Sequence, residues 1–96
     1  MEHYTSIIMP AFNEGSRIKA TLEGIVGIDE INEIIVVDDG SSDNTESEAK
    51  SVDSKKVKVF RLDKNRGKGY ALNFGLKEAL KNADIVGFLD GLVLQK

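Results

Sequence analysis

The sequence of 96 residues contains no cysteine, one proline and one histidine. The lack of cysteine and the scarcity of histidine each exclude whole classes of chemistry. Without cysteine there is no disulfide, thiolate metal ligand or cysteine nucleophile, and the composition suits a reducing compartment, so we expect a cytoplasmic protein. The single histidine, His3, lies near the N-terminus, so a Ser-His-Asp hydrolase would lack its base. No uncharged apolar run approaches the roughly 20 residues that cross a bilayer, and we therefore expect no membrane segment.

The sequence also has no excess of basic residues. The sequence has 13 Lys and Arg residues and 16 Asp and Glu residues. It contains no block of basic residues of the kind that binds nucleic acid. The net charge is −3, and we expect no nucleic-acid partner. With 41% hydrophobic residues, the chain is long enough for one compact domain, residues 1–96, and too short for two.

Four apolar runs of strand length alternate with segments of helical periodicity, which predicts an α/β fold with a mostly parallel sheet of about four strands. The second run contains four consecutive β-branched side chains, as expected of a strand covered on both faces. The third run includes charged side chains, as an edge strand does, so we predict the strand order 3-2-1-4. That order puts a topological switch point between strands one and four, where open α/β sheets bind their ligands. The four runs are residues 4–9, 33–38, 57–62 and 85–90.

Three helical segments are predicted between these runs. Pro10 is expected to end the first strand, and the first helix is placed after Asn13 as its N-cap, with Glu14 in the positive first turn. The second segment, residues 43–51, opens with a pattern similar to a capping box and should be a short, largely exposed helix. The third, from about residue 68 to residue 81, has the clearest helical periodicity.

The segment after the first predicted strand, residues 10–14 with the sequence PAFNE, stands where a dinucleotide-binding fold carries Gly-x-Gly-x-x-Gly. The absence of those glycines argues against nicotinamide or flavin binding. The segment is either a strand-to-helix turn and nothing more, or a place where the small Ala11 lets a flat base approach the backbone. The residues leave both interpretations open.

Two adjacent carboxylates follow the second predicted strand, in residues 38–43 with the sequence DDGSSD. Ionised neighbours at the end of a buried strand are costly unless something binds them. We expect Asp38 to accept N–H bonds from the turn at Gly40 and Ser41, which is a structural role. Asp39, one residue further out, is then free to face the cleft, where it could accept the imide N–H of uracil, a donor that cytosine lacks.

Cations and glycines follow the third predicted strand, in residues 63–71 with the sequence DKNRGKGYA. Backbone amides at a helix start, together with Arg66 and Lys68, are typical of an anion site, and a glycine-rich loop with solvated cations is an equally good interpretation. The Walker pattern is not satisfied. After the fourth predicted strand, Asp90 is placed to meet a metal-bound diphosphate, although one carboxylate alone is a poor Mg²⁺ or Mn²⁺ site.

Taken together, three segments resemble the family 2 glycosyltransferases with the GT-A fold, a family that includes dolichyl-phosphate mannose synthases. The resemblance runs from about residue 5 to residue 90, and the motifs occur in the family's order on the expected elements. It implies a three-layer, Rossmann-like (GT-A) half-domain that binds a nucleotide-diphosphate sugar, commonly UDP- or GDP-linked, with Mg²⁺ or Mn²⁺ at the diphosphate. The segments are residues 6–14 (SIIMPAFNE), 35–43 (IVVDDGSSD) and 65–73 (NRGKGYALN).

The resemblance also gives roles to individual residues by their position in these motifs. The backbone of Pro10 and Ala11, with Asp39, would hold the base and ribose of the donor. Glu14 would lie beside them. Lys68 would approach the base or the phosphates.

The resemblance breaks down in the metal motif. Asp90 matches the first aspartate of the family's Asp-x-Asp pattern, but Leu92 replaces the second, and the acceptor-binding half that carries the family's catalytic base is absent from these 96 residues. We therefore expect weak metal binding, no catalytic residue in this chain and no useful rate of sugar transfer by the chain alone. An unpaired edge at the fourth strand and the apolar residues 92–94 predict a homo-oligomer, most simply a dimer.

Two other classes of protein fit parts of the pattern. A receiver domain also carries an acidic pair, but there the pair ends the first strand, whereas in this sequence the pair ends the second strand. A non-catalytic module derived from such a transferase, binding a nucleotide or only a protein partner, fits all three motifs. Nucleotide titration with and without Mn²⁺ discriminates among the three classes.

Restoring the second aspartate tests the metal motif. We expect Leu92→Asp to strengthen Mn²⁺-dependent UDP binding, because it adds a carboxylate ligand, and to produce no turnover, because it adds no base. Calorimetric titration of UDP with and without Mn²⁺ measures the first effect, and product formation from UDP- and GDP-sugars measures the second. An unchanged Mn²⁺ dependence would contradict the assignment of the motif.

Overall fold

The computed structural model describes residues 2–89, and within that range four parallel strands and three helices alternate along the chain. The sheet order is β3-β2-β1-β4, as predicted, so the order reverses between β1 and β4. The elements are β1 (Thr5–Ala11), α1 (Ile18–Ile25), β2 (Glu33–Asp38), α2 (Thr45–Lys50), β3 (Val57–Arg61), α3 (Lys68–Ala79) and β4 (Ile85–Phe88).

All six residues of β2 are buried, and the strand contributes to two separate hydrophobic clusters. Ile34 and Val36 pack with α1 and α2 on one face of the sheet. Ile35 and Val37 pack with α3 on the other face. The β-branched run is therefore covered on both faces, which confirms the prediction from its composition.

A buried ionic group connects three strands at the amino end of β2. Glu33 is 2% exposed, and its carboxylate accepts hydrogen bonds from Ser6 Oγ of β1 and from Lys58 Nζ of β3, each at 2.5 Å. The hydrogen bond to Glu33 raises the pKa of the Lys58 ammonium, and partial desolvation opposes that effect. Both neighbours of β2 thus contribute one partner to the same carboxylate.

The strand β1 continues through Pro10, which corrects the expectation that this proline ends it. Main-chain groups alternate along β1: the Ile8 carbonyl accepts from Leu89 on the β4 side, and the Ala11 carbonyl accepts from Asp39 on the β2 side. Pro10 therefore faces the β4 side, beyond the last paired residue, Ile8. Within the described residues the pairing of β1 with β4 ends at Ile8, so the missing N–H of Pro10 interrupts none of its pairs.

The helix α1 begins at Ile18 rather than directly after Asn13, so the predicted cap is wrong. Asn13 adopts a left-handed backbone, with φ 53°, and its Oδ1 accepts the Ser42 N–H at 2.9 Å. The asparagine side chain is thus engaged with a neighbouring loop and does not cap a helix. Glu14 precedes the helix, and its carbonyl accepts the N–H groups of Arg17 and Ile18.

The helix α2 is short, as predicted, but it has no capping box. Asn44 occupies the N-cap position without a side-chain hydrogen bond, and Asp43 instead accepts the Thr45 N–H at 3.0 Å. Asp90 and residues 92–94 lie outside the described residues. Within residues 2–89, no helix is long and apolar enough to cross a membrane.

Gly75 tests how closely α3 packs on the sheet. A Cβ at this position would lie 2.4 Å from Ile8 Cγ2 and 3.3 Å from Val37 Cγ2. We therefore expect Gly75→Ala to lower the free energy of unfolding by about 1–3 kcal/mol, the usual cost of overpacking. Gly24→Ala on α1 is the matched control: a Cβ there meets nothing within 4 Å, and we expect a gain of roughly 0.5–1 kcal/mol. Urea unfolding measures both variants, and equal effects would contradict close packing at Gly75.

Candidate functional site

A cleft with a volume of about 260 Å³ opens at the carboxyl ends of β1 and β2, beside the start of α3. Five of the six site residues predicted from the sequence line it together, and the sixth, Asp90, lies outside the described residues. The remaining lining residues were not predicted. The full lining is Pro10, Ala11, Phe12, Glu14, Asp39, Asn65, Gly67 and Lys68.

Side chains of the β2–α2 loop hold the backbone that leads into α1. Three consecutive amides, those of residues 13–15, donate to three side chains of residues 41–45, so these amides already have acceptors within the protein. The three hydrogen bonds run from Asn13 N to Ser41 Oγ (2.8 Å), from Glu14 N to Thr45 Oγ1 (2.9 Å) and from Gly15 N to Asp43 Oδ2 (3.0 Å).

Asp43 is the most connected member of that loop. Its Oδ1 accepts both the N–H and the hydroxyl of Thr45, in addition to the Gly15 bond at Oδ2. The Thr45 hydroxyl is the main cause of a lowered pKa at Asp43, the amides of Gly15 and Thr45 act in the same direction, and partial desolvation opposes them. The loops also touch directly, since a Cβ on Gly15 would lie 1.8 Å from Asn44 Oδ1.

Asp38 is fully buried and makes the turn contact expected from the sequence. Its Oδ1 accepts the Ser41 N–H at 3.0 Å, and its Oδ2 accepts from Arg61 at 2.9 Å. Arg61 donates a second bond to the Ser41 carbonyl at 2.8 Å. Sequence reasoning treated Arg61 only as an edge-strand charge, although it pairs in register with Asp38 once β2 and β3 are aligned.

Asp39 lines the cleft, but its carboxylate is not free, contrary to the expectation from the sequence. It is 4% exposed, its Oδ1 accepts the Arg66 N–H at 2.7 Å, and its Oδ2 accepts the Gly67 N–H at 2.9 Å. Gly40 has φ 68°, and a Cβ there would lie 2.4 Å from the Lys64 carbonyl carbon. The segment after β3 therefore lies directly on the first residues after β2.

The cleft combines an apolar wall with a small number of charged groups. Phe12 lines the cleft and is 46% exposed, so an aromatic side chain is accessible there. The Glu14 carboxylate accepts a hydrogen bond from Arg17, and Lys68 is the first residue of α3, where the helix dipole is positive. A flat ring, a carboxylate and a cation in one cleft suit a ligand that has an aromatic part and an anionic part.

No acidic cluster suitable for a metal ion is found among residues 2–89. In that range, no three His, Asp or Glu side chains converge. The one metal ligand predicted from the sequence, Asp90, lies outside the described residues.

Comparison with known families identifies this class of protein. The model of the family described as glycosyl transferase family 2 matches residues 6–91. The chain therefore belongs to glycosyltransferase family 2, and its four-stranded parallel sheet is the α/β, GT-A type expected from the motifs.

Three relatives illustrate the similarity. Over 76 residues the chain is 37% identical to the poly-β-1,6-N-acetyl-D-glucosamine synthase of Staphylococcus aureus, covering 77% of this chain and 18% of that protein. The mannosyltransferase PcManGT of Pyrobaculum calidifontis, solved with GDP-Man and Mn²⁺, superposes with a TM-score of 0.80 at 29% identity, over 94% of this chain and 28% of its own. Glucosyl-3-phosphoglycerate synthase of Mycobacterium tuberculosis, solved with Mn²⁺, UDP and glucosyl-3-phosphoglycerate, gives a TM-score of 0.75 at 32% identity, over 92% and 33%. The chain thus spans a third or less of these relatives.

The lowered pKa of Asp43 predicts how acid affects the loops around the cleft. A carboxylate whose pKa is lowered by folding stabilises the protein above its unfolded pKa, here 3.8, and this contribution is lost as the pH falls through the folded value. Asp43→Asn should therefore unfold at a lower temperature than the parent at pH 6, and the difference should shrink below pH 3.8. Calorimetric scans across pH measure it. Asp29→Asn makes the same chemical change at an exposed position before β2, away from the cleft loops, and is the control.

Proposed function

We propose that this chain is the donor-binding part of a family 2 glycosyltransferase, a single domain of residues 1–96 that holds a nucleotide-diphosphate sugar for transfer to an acceptor. The observation that carries the proposal is the cleft at the carboxyl ends of β1 and β2, lined by motif residues from the loops that follow all of the first three strands. Two solved relatives are complexes with GDP-Man and with UDP, each with Mn²⁺, which supports a donor of this class.

The base and ribose of the donor fit the part of the cleft formed by the end of β1. The exposed ring of Phe12 offers a face on which a base can stack. The small side chain of Ala11 lets a flat group approach the backbone. The Glu14 carboxylate stands beside them and can accept a ribose hydroxyl, while the expected contact of Asp39 with a base N–H stays a prediction.

The diphosphate fits the opposite wall, at the start of α3. The amides at the entrance to α1 already donate to the β2–α2 loop, so that end does not offer the usual anion site of an α/β fold. Lys68 begins α3 and adds a positive charge to the helix dipole. We therefore place the phosphates near Lys68.

A divalent cation, Mg²⁺ or Mn²⁺, would neutralise the diphosphate and stabilise it as a leaving group. Asp90 is the proposed ligand, and Leu92 supplies none, so donor phosphates and water would complete the coordination and binding would be weak. Leu92 is also the observation that favours a second candidate, a derived module that binds a nucleotide without transferring sugar. Cytoplasmic localisation stays a prediction from the cysteine-free composition.

Nucleoside diphosphates test the proposed site. UDP or GDP at a hundred times its dissociation constant should stabilise the chain by about 2.7 kcal/mol, which a thermal-shift panel detects. Phe12→Ala should weaken that binding by about 0.5–1.5 kcal/mol, the worth of an aromatic stacking contact. Leu80→Ala removes an apolar side chain that is 62% exposed at the far end of α3, and it should leave affinity unchanged. Stabilisation by none of the nucleotides would contradict the proposal.

The edge of β4 underlies the proposed homo-oligomer. Within the described residues β4 pairs only with β1, and Ile85 and Phe88 are 45% and 55% exposed. We expect the 96-residue chain to form dimers or larger species through this edge, because unpaired strands recruit partners. Phe88→Lys should shift it toward monomer. Sedimentation velocity measures both chains, and a monomeric parent at high concentration would contradict the proposal.

A further inference from the structure

The carboxylate of Asp39 binds the protein's own backbone. Its two carboxylate oxygens accept one hydrogen bond each from consecutive amides, those of Arg66 and Gly67, at 2.7 and 2.9 Å. The side chain is almost fully buried, so these bonds are shielded from water. A carboxylate that accepts two adjacent amides fixes both the position and the orientation of that stretch of chain.

Gly40 is an independent sign that the same stretch is held closely. Its backbone has φ 68°, which glycine adopts without strain, and a Cβ would lie 2.5 Å from the Asn65 nitrogen and 2.4 Å from the Lys64 carbonyl carbon. Only a residue without a side chain permits this approach. Asp39 and Gly40 together form what we call the loop seat.

The segment on the loop seat carries one wall of the cleft. Asn65, Gly67 and Lys68 line the cleft, and Gly67, with φ 96°, is the N-cap of α3. We infer that Asp39 is a positioning residue, which holds this segment in the shape that places Asn65 and Lys68 against a bound nucleotide. The link between Asp39 and nucleotide binding rests on the proposed function. The two hydrogen bonds that Asp39 accepts from this segment do not depend on it.

This role predicts a different pattern of nucleotide affinity from that of a base contact. A carboxylate that reads the N–H of uracil would, when removed, weaken UDP and spare CDP, because cytosine lacks that donor. A carboxylate that positions this wall affects contacts to the diphosphate, which the proposed function places near Lys68. UDP and CDP share the diphosphate, so both should lose affinity by the same factor. The ratio of the two affinities therefore separates the roles.

The variant Asp39→Asn tests the inference by replacing one acceptor oxygen with an NH₂ group that must face an N–H. In the nucleotide-free chain we expect hydrogen exchange at Arg66 or Gly67 to become at least roughly tenfold faster, since a hydrogen bond to a charged group is lost. Exchange in the core of β2 should be unchanged, which separates this effect from global unfolding. UDP and CDP affinities, measured by competition, should fall by equal factors.

Asp63→Asn is the matched control, since it makes the same chemical change in the same segment. Asp63 is 76% exposed and pairs with the Arg66 side chain at 3.7 Å without accepting these amides. It should leave both exchange rates and both affinities unchanged. Unchanged exchange at both amides in Asp39→Asn would overturn the inference, and so would a loss confined to UDP.

Gly40→Ala keeps the inference testable if Asp39→Asn does not fold. Its Cβ would displace the segment while leaving the carboxylate in place, so faster exchange at Arg66 and Gly67 and an equal loss of UDP and CDP affinity are expected. Unchanged hydrogen exchange at Arg66 and Gly67 in Gly40→Ala would contradict the inference that the loop seat holds this segment. If the parent chain binds none of UDP, CDP and GDP, the proposed function fails, and the exchange rates still decide whether Asp39 holds the segment.

Discussion

The buried carboxylate of Asp38 is the group on which the cleft end of the sheet depends. A fully buried charge is strongly destabilising without partners, and here the Ser41 amide and the Arg61 guanidinium supply them. Arg61 also binds the Ser41 carbonyl, and the Ser41 hydroxyl accepts the Asn13 amide. One connected network therefore joins the ends of β1, β2 and β3, and loss of Arg61 would leave the buried Asp38 carboxylate without its cation.

Hydrogen bonds between the loops hold the backbone on two sides of the cleft. The amides leading into α1 are held by the β2–α2 loop, and those leading into α3 are held by Asp39. Phe12, Asn65 and Lys68 line the cleft between these loops. A backbone held in this way would lower the conformational cost of binding the proposed nucleotide.

The sequence predicts what depends on local pattern and fails where distant residues decide. The bounds of β2, the edge position of β3 and the strand order follow from β-branched runs and charge placement. The cap at Asn13 was wrong because Ser41 and Ser42, about thirty residues away, hold Asn13 in a left-handed conformation. The grip of Asp39 on Arg66 and Gly67 has no local signal either, since it exists only once two loops meet.

The two buried acids of β2 also explain why the register of the sheet is unambiguous. Glu33 at one end binds Ser6 of β1 and Lys58 of β3, and Asp38 at the other end binds Arg61 of β3. A slip of one residue would turn every β2 side chain to the opposite face and leave both acids buried without partners, which no apolar gain would offset. Since Phe12 and Asp39 directly follow β1 and β2, the same two acids that exclude a slipped sheet also set where these two cleft residues stand.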